Sequence, residues 1–85
     1  MYVCLVCGYP RLNQPPYDPD GNGTYVICTC CRFQFGLDDF PYEDKDVLIA
    51  KWREEWIKSG CKWMAKLTRP PEGWNAQEQL KNLKM

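Results

Sequence analysis

Histidine is absent from this chain of 85 residues. Its absence removes mixed Cys/His zinc sites and the commonest general base together. Net charge is absent as well, since eleven Lys and Arg balance eleven Asp and Glu, so no overall field favours a polyanion. No apolar run is long enough to cross a membrane. The opening Met1-Tyr2-Val3-Cys4 has no basic segment feeding an apolar stretch, so no secretory signal is read and the expectation is a cytoplasmic protein. Size is also in short supply. One domain of this length, residues 1–85, buries a modest core and commonly depends on a staple such as a metal or disulfides.

Cysteine is plentiful, with six in the chain. In a reducing compartment the thiols favour a metal over disulfides. Cys4-Leu5-Val6-Cys7 and Cys28-Thr29-Cys30-Cys31 are two C-x-x-C turns separated by 20 residues, each with an aromatic residue two positions on, Tyr9 and Phe33. Such turns curl the backbone so that both sulfurs of a pair face one ion, and the intervening length lets the second turn return beside the first. Cys4, Cys7, Cys28 and Cys31 are therefore read as the ligands of a tetrahedral metal. Four sulfurs leave no open position, so zinc there would be structural, with its binding energy appearing as folding energy. Iron is the alternative, because a four-cysteine iron site carries one electron.

Around the knuckles the pattern is short strands. Tyr2 and Val3 lead into the first knuckle, Gly8 suits a positive φ after it, and Tyr9-Pro10-Arg11-Leu12 reads as a return edge. Residues 13–23 (NQPPYDPDGNG) are loop by composition. Thr24-Tyr25-Val26-Ile27 is the clearest strand, and the Phe33/Phe35 alternation places both rings on one face before Gly36 ends it. Residues 1–36 thus read as a zinc ribbon on short antiparallel strands. A long helix is expected over 42–59, with Glu43, Asp44 and Asp46 at its positive end and Leu48, Ile49, Trp52 and Trp56 forming one apolar stripe. Gly60 stops it. Cys61, Trp63, Met64 and Leu67 prolong the apolar strip. Asn75 and Glu78 make a capping-box-like start to a short C-terminal helix within 75–84, with Leu80 and Leu83 inward. The fold class is a small α+β domain, a zinc ribbon packed on one long helix and closed by a short one.

Other residues carry weaker signals. Cys30, inside the second knuckle, is an accessory thiol at most, and Cys61 reads as a buried small hydrophobe. Trp52 and Trp56 belong to the core. Trp63 and Trp74, with the acidic Asp38 and Asp39, are the residues proposed to meet a partner. The two halves are unevenly charged: residues 1–50 hold three basic and seven acidic side chains, and residues 51–85 hold eight and four. The basic residues Lys51, Arg53, Lys58, Lys62, Lys66, Arg69, Lys81 and Lys84 are dispersed and interrupted by Glu54 and Glu55, so nucleic-acid binding ranks third.

The opening YVCLVCGYP with PYDPDGNG resembles the first half of a rubredoxin, which would imply iron. The second knuckle departs from that family's C-P-x-C-G, having Thr29 and Arg32 in those places. Over nearly the whole chain, the stretches YVCLVCGYP, YVICTCCRFQFGLDD, KWREEWIKSGCKW and PPEGWNAQEQL resemble a family of small bacterial cysteine-rich proteins named for a C-P-C-C-like motif. Thr29 stands where the name-giving proline would be. The resemblance implies a cytoplasmic bacterial protein with a ribbon-like metal site and no catalytic residues. By analogy with small immunity or accessory factors, it points to a protein partner. The expectation is a non-enzymatic binding or adaptor module with structural Zn2+, against a rubredoxin-like iron electron carrier.

Overall fold

The structure is a computed structural model that describes residues 1–83. Lys84, expected in the basic tail and at the end of the C-terminal helix, lies outside the described residues. Pairing in the first third is confined to isolated antiparallel bridges, Tyr2 with Leu12, Tyr17 with Gly23 and Ile27 with Gln34. The expected antiparallel strands are thus reduced to single contacts among the described residues. The cause is local. Each knuckle closes so soon that a ladder has no length to form: Cys4 N–H donates to Tyr9 O and Cys28 N–H to Phe33 O.

Thr24–Ile27, expected as the clearest strand, is interrupted at Tyr25, whose φ of 66° is left-handed. Tyr25 N–H donates to Phe35 O while Phe35 N–H donates to Val26 O. Two residues therefore oppose one, as in a β-bulge, and Tyr25 takes the left-handed place that glycine usually fills. The bulge brings backbones into contact. A Cβ on Gly23 would meet Gly36 Cα at 2.3 Å, and one on Gly36 would meet the Tyr25 ring at 3.2 Å.

The expected helix over 42–59 is divided. Tyr42–Asp44 is a single 3-10 turn, and α1 runs Lys45–Lys58. The stripe on α1 faces the knuckles unevenly, with Ile49 and Trp56 buried and Trp52 partly so. After Gly60 the apolar strip does not stay inside: Cys61 is buried, but Leu67 is 100% exposed. Asn75 caps α2, Ala76–Leu80, by accepting from Glu78 N–H at 3.0 Å. A 3-10 turn over Lys81–Leu83 follows. Gln79 is the buried residue of α2, while the expected inward residues Leu80 and Leu83 are only partly covered.

The core joins sulfur to rings. Cys4, Cys7, Cys28, Cys30 and Cys31 are fully buried with Val6, Phe33 and Phe35. Phe33 and Phe35 lie 4.8 Å apart by ring centroid, and Trp52 meets Phe33 edge-on at 5.3 Å. Edge-on and offset ring pairs add stabilisation beyond area burial. Asp39 is also fully buried; its carboxylate accepts from Tyr17 O–H and from Gly36 N–H. Lys45 Nζ sits 4.6 Å from the Tyr17 ring centroid, fastening the start of α1 to the same spot.

Two outcomes follow from these contacts. Gly23→Ala forces a methyl into backbone that cannot yield, and urea denaturation should show a loss of about 1–3 kcal/mol. The Tyr17 phenol is pushed well above its ordinary 10.0, first by burial and then by Asp39. The folded state therefore keeps this proton to higher pH than the unfolded chain, so its stabilisation is complete below pH 10 and declines as pH rises beyond. Tyr17→Phe should flatten that alkaline decline; equal slopes for both proteins would refute the pairing.

Candidate metal centre

The knuckles repeat one another residue for residue. Gly8 N–H donates to Cys4 O at 2.9 Å, and Arg32 N–H donates to Cys28 O at 2.8 Å. Both donors take left-handed backbone, with φ of 85° at Gly8 and 68° at Arg32. The aromatic residue after each, Tyr9 or Phe33, returns its carbonyl to the first cysteine's N–H. Glycine at position 8 has a second cause. A Cβ there would stand 2.3 Å from Gln79 O, so α2 rests directly on the turn.

The sulfurs of Cys4, Cys7, Cys28 and Cys31 all lie within 4.8 Å of one another and are buried. The sulfurs of Cys4 and Cys31 are 3.8 Å apart, and those of Cys7 and Cys28 are 3.6 Å apart. These separations are too long for disulfides, and all six cysteines are free. Four thiolates at ~2.3 Å from a tetrahedral ion stand about 3.8 Å from each other. The donor set and spacing therefore fit a divalent metal, and these four cysteines could hold one.

Proton sharing within the cluster points the same way. Hydrogen bonding from Cys28, then from Cys31 and Cys7, holds the Cys4 thiol far below its ordinary 9.0. Hydrogen bonding with Cys28 first pushes Cys7 and Cys31 far above it. Cys4 is thus favoured as thiolate where Cys7 and Cys31 are favoured as thiols. A cation that replaces those protons allows all four to ionise.

Curling N–H groups inward turns the knuckle carbonyls outward, and the rest of the chain meets them. Arg53 donates through Nε to Val6 O and through Nη2 to Leu5 O, each at 2.7 Å. Gln79 Nε2 donates to Cys7 O at 3.1 Å, and Asn82 Nδ2 to Gly8 O at 2.9 Å. On the second knuckle, Met64 N–H reaches Cys30 O at 2.8 Å and Trp52 Nε1 reaches Cys31 O at 3.0 Å. Trp74 Nε1 donates to Gln79 Oε1 at 2.7 Å and so fixes which end of that amide faces the cysteines. Arg53, Gln79 and Asn82 escaped the sequence reading. Arg53 looked like one of several dispersed cations, and Gln79 immediately precedes the leucines expected to point inward, Leu80 and Leu83. The one available signal was a glycine after the first knuckle, which allows a close neighbour without naming it.

Cys30 is enclosed and lies beside the four, accepting from Gln79 Nε2 at 3.4 Å. Hydrogen bonding from Cys7, and after it from Gln79, lowers its pKa. Burial raises the pKa of Cys61, which lies outside the cluster. The residues expected to meet a partner have partners within the fold. Asp39 is buried and committed to Tyr17 and Gly36, so it cannot serve that role. Asp38 is partly buried and accepts from Gln34 N–H at 2.8 Å. Trp63 and Trp74 pack edge-on at 5.6 Å against the knuckle side, with both indole N–H groups taken, by Thr68 O and Gln79 Oε1.

No family model matches the chain, and no solved structure matches it. Two proteins of Bacillus subtilis (strain 168) are similar to it, each described as an uncharacterized protein. YozI is 35% identical over 94 aligned residues, which cover 96% of this chain and 72% of YozI. YoaQ is 35% identical over 74, covering 69% of this chain and 59% of YoaQ.

Gln79→Leu keeps the approximate volume but strands the Trp74 N–H and the Cys7 carbonyl. An unpaired buried polar group costs about 1–3 kcal/mol. The variant should therefore lose roughly 2–4 kcal/mol in chemical denaturation, while Gln77→Leu, on the exposed side of α2, should change little. Equal stability of the two variants would remove Gln79 from its place over the knuckle.

Proposed function

We propose that this chain, which belongs to the bacterial family of YozI and YoaQ, is a structural-zinc, non-enzymatic binding or adaptor protein. The observation that carries the reading is the closed cage, four buried cysteine sulfurs within 4.8 Å of one another. One ion bound by all four has no position left for water or substrate, so its work is to hold the fold. Zinc is preferred to iron because Thr29 and Arg32 replace the proline and glycine of a rubredoxin's second knuckle. The resemblance to the C-P-C-C-type bacterial proteins and a reducing cytoplasm support the same assignment.

The partner is proposed to be another protein. Large apolar side chains remain exposed beside the acidic 38–46 segment, with Phe40 at 70%, Tyr25 at 61% and Leu37 at 60%. A groove of about 560 Å³ along α1, floored by Leu48, Trp52, Trp56 and Met64, adds apolar surface. Exposed patches of this kind mark interaction sites more often than catalytic ones.

Structural zinc contributes about 10–16 kcal/mol in small domains, comparable to or above the whole stability of such a fold. Elemental analysis of the native protein should find one zinc per chain, and chelation should collapse the structure. Cys→Ser at Cys4, Cys7, Cys28 or Cys31 should abolish metal retention, whereas Cys61→Ser and Cys30→Ser should do much less damage. A coloured protein with one iron per chain would establish the electron-carrier reading. A metal-free protein whose melting curve ignores chelator would overturn both.

A further inference from the structure

We infer that Arg53 is a positioning residue of the metal centre, aiming the Val6 backbone N–H at the Cys4 sulfur. The inference rests on the metal reading above and concerns how the cage is tuned. Arg53 grips two consecutive carbonyls, Leu5 O and Val6 O, from 48 and 47 positions away in sequence. In a trans peptide the C=O and the N–H lie in one plane and point in opposite directions. The Leu5 carbonyl shares its peptide with the Val6 N–H, and the Val6 carbonyl shares its peptide with the Cys7 N–H. Drawing both carbonyls outward therefore turns both N–H groups inward. Val6 N–H donates to Cys4 Sγ at 3.4 Å.

The arrangement is one-sided. The second knuckle has the same backbone turn, yet its carbonyls are met by neutral donors, Met64 N–H and Trp52 Nε1. The Val6-to-Cys4 bond has no counterpart at Cys28 among the hydrogen bonds of the described residues. Bonds with a charged donor are roughly twice as strong as neutral ones, and they polarise the peptides they grip. Cys4 is thereby the sulfur from which most electron density is drawn, and the first knuckle is the one held shut. Groups that act through a ligand in this way typically change metal affinity 10–100-fold when removed.

The test begins with wild-type protein loaded with cadmium-113. The amide proton of Val6 should show scalar coupling to the metal through its bond to Cys4. Arg53→Met should weaken zinc in chelator competition about 10–100-fold, with Arg53→Lys between it and wild type. In cobalt(II)-loaded Arg53→Met and Arg53→Lys, the thiolate-to-metal charge-transfer band should move to longer wavelength, because a less hydrogen-bonded thiolate gives up an electron more easily. A lower melting temperature with the band unmoved would make Arg53 a packing residue only and overturn the inference. If Arg53→Met does not fold, the wild-type coupling and Arg53→Lys decide: no coupling at Val6, or a wild-type band in Arg53→Lys, overturns it. A wild-type protein that takes up no cadmium, zinc or cobalt overturns the metal reading itself, and this assignment with it.

Discussion

The structure depends on one constraint, that two short turns must bring four sulfurs within 4.8 Å of one another. A turn that aims its sulfurs and amides inward sends its carbonyls outward. Carbonyls covered by the rest of the protein need partners, because an orphaned buried acceptor costs as much as a lost hydrogen bond. Arg53 and Trp52 on α1, Met64 after it, and Gln79 and Asn82 at the C-terminal end supply those partners. The second half of the chain is thus arranged around the backs of the knuckles, and no buried side-chain polar atom among the described residues lacks a partner.

This explains the unusual core. Five of the fully buried residues are cysteines, and the aromatic residues gather around them: Phe33 and Phe35 inside, with Trp52, Tyr9, Trp63 and Trp74 packed against that cluster. Sulfur and rings supply volume that a ribbon of this length otherwise lacks. Trp52 contributes twice, with its ring edge on Phe33 and its N–H on Cys31 O. Trp74 does the same at one remove, orienting Gln79 toward Cys7. Indoles suit such places because one end is apolar and the other is a hydrogen-bond donor.

The parts legible in the sequence were those whose cause is local. C-x-x-C spacing, the glycine at a positive φ, the Asn75 cap and the alternation of Phe33 and Phe35 each depend on a handful of adjacent residues. What local pattern missed was set from far away. Thr24–Ile27 has every mark of a strand, but the close approach of Gly23 to Gly36 goes with a left-handed Tyr25, and tertiary context overrides propensity there. Asp39 looked like an acidic surface residue placed to meet a partner. It is enclosed because Tyr17 lies 22 positions earlier, across the loop. Polarity alone places Arg53 and Gln79 on the surface, and the outward carbonyls of the knuckles, an acceptor set invisible to composition, draw Arg53 against the first knuckle and bury Gln79.

The same logic settles what joins the acidic front to the basic tail. A seven-to-three excess of acidic side chains in residues 1–50 and an eight-to-four excess of basic ones in residues 51–85 suggest electrostatic adhesion. Yet the ion pairs between described residues, Lys58 with Glu54 and Lys81 with Glu78, both lie within the tail and are exposed. Such pairs contribute little. Among the described residues, the contacts that cross from one half to the other include hydrogen bonds onto main-chain carbonyls, the bond from Gln79 Nε2 to Cys30 Sγ and ring contacts, and Arg53 Nε and Nη2 reach the carbonyls of Val6 and Leu5. Salt screens separated charges but not short, partly buried bonds of this kind. The described contacts between the two halves therefore follow from the geometry of the knuckles.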